Sequence, residues 1–293
     1  MADDAMADLL SIADLPEGAF AEILALAERT DLGAPLAGKG VALVFQKPSA
    51  RTRNSTEMAV VQLGGHPVYI QKEEVGIDTR ESAEDVARTL ACYHSIIAAR
   101  VMDHRHLVRM AAAADVPVAN LLSDTDHPFQ ALADLLTVKQ LLGRLEGARI
   151  AWVGDADNNV ARSLAQGCVA VGAELTLASP EGYRLSDAPY GVRQVADPAE
   201  AVEGAEIVYT DVWVSMGQDD EAEARLEAFA PYQVNEALMA RAGDAWFLHC
   251  LPARRGEEVT HGVMESPRSA VWRQAENRMH TARGALAWLA GVR

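Results

Sequence analysis

Short, largely apolar runs recur along this chain, each separated from the next by a stretch of helical period. "GVALVFQ" (40–46), "HPVYIQ" (66–71), "SIIAARV" (95–101) and "VPVANLL" (116–122) are the first four, and residues 52–63, 82–92 and 104–114 between them read as helices. A strand that is apolar along its whole length has to be covered on both faces. Strands of that kind alternating with helices define a parallel sheet. A long helix over 128–143 follows, and then the pattern restarts at "ARIAWVGD" (148–155). A helix over 158–171 comes next, then strands "ELTLASP" (174–180), "EIVYTDV" (206–212) and "AWFLHCLP" (245–252). The Ala-rich patches at 111–114 and 221–230 read as helix filler. The fold class is therefore α/β, with two doubly wound parallel-sheet domains joined around residues 138–147. The first spans 1–138 together with a C-terminal helix, 270–293, that packs back on it. The second spans 139–269.

Composition narrows what such a pair of domains can do. At 293 residues and 49% hydrophobic content the chain can bury a large core, yet it contains no apolar run long enough to cross a bilayer. The first ten residues, MADDAMADLL, are acidic and lack the basic-then-apolar layout of a secretion signal. The three cysteines, Cys92, Cys168 and Cys250, are too few for a disulfide framework and fit no zinc spacing, so no metal site is expected and a reducing cytoplasm is the simplest setting. A net charge of −16 sets the molecule against nucleic acid and anionic membranes. Any anion it binds must sit in a local positive pocket.

In open α/β sheets ligands sit beyond the carboxyl ends of the strands, and every polar cluster in this sequence falls at such an end, which points to one composite site. Ser49, Ala50, Arg51, Thr52 and Arg53 open a helix directly after a strand. Backbone N–H groups there carry partial positive charge, and guanidinium forks match phosphate. The same residues also suit an N-cap serine beside solvated arginines. In "DTDHPFQALADLLT" (124–137), His127 precedes Pro128, a good first helical residue, and Gln130 lies on the same side one turn on. The pair can donate to a carbonyl oxygen, or the histidine can cap the helix. "GDADNNV" (154–160) is too glycine-poor for a dinucleotide fingerprint. Its Asn158 and Asn159 suit a cap or a bound carboxylate. "DVWVSMG" (211–217) suits an amino-acid headgroup or a plain turn. "HCLPARRGEE" (249–258) offers Cys250 as a nucleophile or a structural thiol, with His249 directed to the opposite face by alternation. Arg278, in "AENR", belongs to a site or to the surface.

Taken in order, these pieces resemble the aspartate/ornithine carbamoyltransferase family over about residues 15 to 290. The family's S-T-R-T-R motif resembles Ser49 to Arg53, H-P-x-Q resembles His127 to Gln130, and D-x-W-x-S-M-G resembles Asp211 to Gly217. H-C-L-P resembles His249 to Pro252, and "AENR" also matches. The resemblance implies that Ser49, Ala50, Arg51 and Thr52 hold the phosphate of carbamoyl phosphate. It further implies that Arg100, His127 and Gln130 hold the carbamoyl group, with Cys250, Leu251 and Arg278 completing that pocket. Arg100, His127 and Cys250 are the implied catalytic residues. The S-M-G and H-C-L-P elements point to ornithine rather than aspartate as acceptor, held by Asn159, Asp211, Ser215 and Met216. The family is cytoplasmic, a trimer or a multiple of trimers, and needs no metal or organic cofactor. Two positions depart from it. Ala50 stands where a hydroxyl is usual, and in the loop 71–82 the best register sets Gly76 where the family has a glutamine. The alternatives are a carbamoyltransferase for a different amine or amino acid, and a non-catalytic relative that binds the anion.

Overall fold

The structure is a computed structural model and describes residues 7–189, 191–215 and 219–293. The chain divides into two compact units, residues 1–133 with 278–293, and residues 134–277. The division falls inside one continuous helix at each crossing, whereas the sequence reading places it at 138/139 and 269/270.

The first unit contains helix α1 (Ala19–Glu28), strand β1 (Gly40–Phe45), α2 (Ala50–Gln62), β2 (His66–Gln71), α3 (Lys72–Val75), α4 (Ala83–Ala91), β3 (Ile96–Arg100), α5 (His104–Ala113) and β4 (Val118–Leu122). All strand pairs are parallel, in the order β2-β1-β3-β4. Strands β1 and β3 are buried along almost their whole length, as their apolar runs require. The helices start where the sequence offers side-chain caps: Ser49 for α2, Ser82 for α4 and Asp103 for α5 each accept a backbone N–H of the first turn. Helix α6 (Pro128–Leu142) leaves this unit and enters the second.

The second unit carries β5 (Arg149–Val153), α7 (Asn159–Val171), β6 (Glu174–Ala178), β7 (Arg193–Val195), α8 (Pro198–Val202), β8 (Ile207–Thr210), α9 (Ala222–Phe229), α10 (Glu236–Arg241), β9 (Trp246–His249) and α11 (His261–Met264). Its five strands are parallel in the order β7-β6-β5-β8-β9, over a core that includes Val153, Val208, Trp213, Phe229 and Phe247. The sequence pattern misses β7, α8, α10 and α11. Each spans six residues or fewer, too short to show a period.

Helix α12 (Val271–Leu289) ends the chain, and residues from Arg278 onward pack into the first unit, as the sequence reading expects. The contact with α1 is close. A Cβ at Gly284 would lie 2.6 Å from the Ile23 carbonyl oxygen, so only glycine fits there. Arg283 donates to the carbonyls of Ala27 and Arg29, and the Trp288 indole donates to Glu22.

Candidate active site

Both sheets reverse their strand order at one point, between β1 and β3 in the first unit and between β5 and β8 in the second. Crevices form at such switch points, beyond the carboxyl ends of the strands. The sequence-predicted residues divide between these two places.

In the first unit, β1 runs through Phe45 into the turn that starts α2. Ser49 caps that helix, its hydroxyl accepting the Thr52 N–H at 3.3 Å. The capping role does not exclude an anion, because the remaining first-turn N–H groups still point outward. Arg51 is exposed and makes no hydrogen bond or ion pair among the described residues. Arg53, by contrast, is occupied: it pairs with Glu57 at 2.8 Å and lies over the Tyr69 ring. Ala50 is exposed at the first position of α2 and supplies backbone alone.

Arg100 ends β3 opposite Phe45, where the register of β3 against β4 shifts. Such an irregularity re-aims a side chain. The residue is 6% exposed, and its guanidinium makes no hydrogen bond or ion pair with any described residue, with Nε fully buried. A buried charge of this kind is costly unless a partner arrives. Burial, followed by the nearby charges of Arg278 and Arg51, pulls its pKa down to about 10. His127 and Gln130, at the start of α6, are buried beside it. Burial first, then Arg278 and Arg100, hold the His127 pKa well below the usual imidazole value, so the ring is neutral at pH 7. Arg278 donates to Gln130 Oε1 and, at 3.4 Å, to the Thr52 hydroxyl. The first unit therefore gathers Ser49, Thr52, Arg100, His127, Gln130 and Arg278 around a concentration of positive charge.

In the second unit, β8 delivers Asp211 and β9 delivers Cys250. The Cys250 thiol donates to Asp211 Oδ1 at 3.0 Å, and the Val212 N–H donates to the same oxygen at 2.8 Å. Burial raises the Asp211 pKa, with His249, Cys250 and Val212 pulling the other way. Burial, then the Asp211 carboxylate, pushes the Cys250 thiol well above its ordinary value. A thiol held in its protonated form is a poor nucleophile. His249 does not point to the opposite face as alternation predicts: one of its ring nitrogens lies close to the Asp211 and Cys250 donor atoms. Its Nδ1 accepts the Leu251 N–H at 2.9 Å, so Nε2 carries the proton and donates to buried Glu258 at 3.0 Å. Asp211, His249 and Cys250 each bring one donor atom within 4.8 Å of the others, a proximity that sequence spacing did not suggest. Both histidine nitrogens and the thiol proton are already committed to hydrogen bonds, so the three form a hydrogen-bonded set. Leu251 has φ 63, a left-handed conformation rare for a bulky residue, and follows directly on the thiol. Asn159 opens α7 and Ser215 ends the described part of its loop, while Met216 lies outside the described residues.

Sequence reasoning missed Asp155 and Arg225. They form an ion pair at 3% and 5% side-chain exposure. Arg225 also donates to the Trp213 carbonyl at 2.6 Å and stacks on Tyr183. The Asp155 carbonyl accepts from Asn158, the cap of α7. One guanidinium thus ties the loop carrying Asp211 and Ser215 to the loop carrying Asn159. The departure at Gly76 also has a structural basis. This residue ends α3 with φ 55, and a Cβ there would lie 2.8 Å from that of Arg80.

Two parallel-sheet units, one with arginines gathered near a helix start and the other with an acid–thiol pair, suit a group-transfer enzyme. Residues 7–140 match the carbamoyl-P binding domain of aspartate/ornithine carbamoyltransferase, and residues 146–289 match the Asp/Orn binding domain. The chain belongs to this family. It is 45% identical to the ornithine carbamoyltransferase of Hyperthermus butylicus, with 96% of each chain covered. It is 42% identical to that of Bacillus subtilis, with 95% of this chain and 92% of that protein covered. Among solved structures, ornithine carbamoyltransferase from Pyrococcus furiosus superposes with a TM-score of 0.92 at 42% identity, covering 98% of each chain.

Proposed function

We propose that this chain is an ornithine carbamoyltransferase: it moves the carbamoyl group of carbamoyl phosphate to the side-chain amine of L-ornithine, giving citrulline and phosphate. The observation that carries the reading is the set of three arginines, Arg51, Arg100 and Arg278, held near a helix start in a molecule of net charge −16, with Arg100 buried and unpaired. That arrangement is unfavourable when empty and favourable around a dianion.

In this reading residues 1–138 with 270–293 make up the domain that binds carbamoyl phosphate, and residues 139–269 the domain that binds ornithine. The helix start at Ser49–Thr52, with Arg51, holds the phosphate. Arg100, neutral His127 and Gln130 hold the carbamoyl oxygen, with Arg278 beside them. The amine nitrogen attacks the carbamoyl carbon and the carbonyl becomes an oxyanion. The bond from carbon to the phosphate oxygen then breaks, and the nitrogen loses its proton. Donors aimed at the oxyanion are worth about 3–4 kcal/mol each. An alkyl ammonium has no lone pair, and its pKa in water is ~10.4, so the site must take or generate the neutral amine. Asp211 pairs with the α-ammonium of the acceptor, and Asn159 donates to its carboxylate, with Ser215 and Met216 closing around the headgroup. Cys250 keeps its proton and positions the amine, with Leu251 beside it. The working form is a homotrimer or a multiple of trimers in the cytoplasm. No described helix is long and apolar enough to cross a membrane.

The test is a comparison of kcat/KM for ornithine, lysine, putrescine and N-acetylornithine at saturating carbamoyl phosphate. Putrescine lacks the carboxylate and N-acetylornithine the ammonium, leaving buried groups unpaired at about 1–3 kcal/mol each. Lysine is one methylene too long, and a misplacement of ~1 Å can cost 10²-fold. Ornithine should lead by at least about tenfold. A better rate with any of the other three would overturn the acceptor assignment.

A further inference from the structure

Asp134 lies on α6 among Ala133, Leu135 and Leu136, and like them it is fully buried. Its carboxylate is the meeting point of three elements of the second unit. Oδ1 accepts the Gln274 side-chain N–H at 2.7 Å from α12, and Oδ2 accepts the Tyr209 hydroxyl at 3.0 Å from β8. The other end of the Gln274 amide accepts the His249 N–H at 2.9 Å, at the end of β9. Gln274 and Tyr209 are themselves buried, at 1% and 0% exposure. The next residue after His249 is Cys250, and the two residues after Tyr209 lead to Asp211. The backbone positions that present the thiol and the carboxylate are therefore both anchored on one buried acid.

We infer that Asp134, acting through Gln274 and Tyr209, is a positioning residue that fixes the Cys250 thiol on Asp211 and so sets the acceptor half-site of the proposed reaction. Two further observations agree with the geometry. The Asp134 carboxylate is one of the causes that hold the thiol in its protonated form, and the Tyr209 hydroxyl acts on it in the opposite sense. Asp134 also contributes, after burial, to raising the Tyr209 phenol. A charge with no more than a packing role would be replaceable by any group of its shape. A charge that sets the state of a neighbouring thiol is not.

The inference rests on the ornithine reading for its kinetic consequence, but its chemical consequence can be read without any acceptor. The first measurement is the alkylation rate of Cys250 by iodoacetamide at pH 8, followed by peptide mass spectrometry. Exposed Cys92 serves as internal reference and buried Cys168 as background. Asp134→Asn should speed Cys250 alkylation by about twofold or more, because removing the carboxylate raises the thiolate fraction. Tyr209→Phe should slow it by about twofold or more, because the phenol proton donated to Asp134 Oδ2 offsets the carboxylate charge that disfavours the thiolate. Opposite signs from two changes at one contact are not what a general loosening would produce. The second measurement is steady-state kinetics. Both variants should raise the acceptor KM by about threefold or more and leave the carbamoyl phosphate KM within about twofold. If Asp134→Asn does not fold, Tyr209→Phe and Gln274→Leu carry the same kinetic test. Alkylation rates that are unchanged, or that move in the same direction in both variants, would overturn the inference. So would KM values for the two substrates that rise together. A wild-type protein that makes no citrulline would refute the function instead, and the alkylation result would still stand.

Discussion

Replacing Arg100 with methionine should make the empty protein more stable while destroying its function. The guanidinium is buried, its Nε meets no hydrogen-bond partner, and the charges of Arg278 and Arg51 add to the effect of burial. Its pKa of about 10 lies roughly two and a half pH units below the ordinary arginine value, and at ~1.36 kcal/mol per pH unit this disfavours the charged form by about 3 kcal/mol. At neutral pH the group stays charged, so the folded state carries that cost. Arg100→Met keeps most of the aliphatic stem and removes the charge. Allowing for lost packing, the empty variant should gain about 1–2 kcal/mol, a rise in Tm of roughly 2–8 °C at this size. The same change removes a charge-assisted partner of the substrate, and kcat/KM should fall by about 10²-fold or more. The stabilisation of wild type by phosphate, ~2.7 kcal/mol at a hundredfold excess over Kd, should shrink in the variant. Differential scanning fluorimetry with and without about 100 mM phosphate (a hundredfold excess over a millimolar Kd), run beside an activity assay, reads all three effects. A variant that is less stable than wild type when empty, or that keeps near-normal kcat/KM, would refute the charge-frustration argument.

Arg225→Gln should raise the ornithine KM by about tenfold or more and leave the carbamoyl phosphate KM nearly unchanged, because Arg225 joins the two loops proposed to hold the acceptor. Equal effects on both substrates would contradict that division. His127 has a folded-state pKa depressed below the unfolded value of ~6.5, so it adds nothing to the pH dependence above that value. Below it, the unfolded chain takes up a proton that the folded state resists, and stability should fall by up to about 1.4 kcal/mol per pH unit. Urea unfolding at pH 7.5 and 5.5 should show a smaller loss for His127→Gln than for wild type. Cys250→Ser should keep measurable turnover, and wild type mixed with carbamoyl phosphate alone should show no adduct by mass spectrometry. A stoichiometric carbamoyl group on Cys250 would make the thiol a nucleophile after all.

Much of this arrangement is legible in the sequence, for a physical reason. Ser49–Thr52, His127 and Asp211 are polar residues immediately beyond apolar strands, and only a ligand or a cap makes polar groups worthwhile there. Arg100, closing the run "SIIAAR", is reached only through the family resemblance. What stays hidden depends on distant pairing. Asp155 and Arg225 are 70 positions apart, and nothing local marks either one. Asp134 looks like an ordinary polar residue within a helix until Tyr209 and Gln274, 75 and 140 positions away, are brought to it. The crossings between units are hidden for a different reason. They lie within α6 and α12, whose helical pattern runs on without a break. Gly76 is the reverse case: it stands out in the sequence as a departure from the family, and in the structure it is a helix-ending glycine that no larger residue could replace without strain.

The most direct measurement is a single mixing experiment with purified protein, 13C-labelled carbamoyl phosphate and L-ornithine, followed by NMR. Labelled citrulline and inorganic phosphate should appear in equal amounts, at a rate proportional to enzyme, and Arg51→Ala should lower that rate by at least about 10²-fold. Phosphate release without labelled citrulline, or no turnover from a folded protein that still binds phosphate, would contradict carbamoyl transfer to ornithine as the function of this chain.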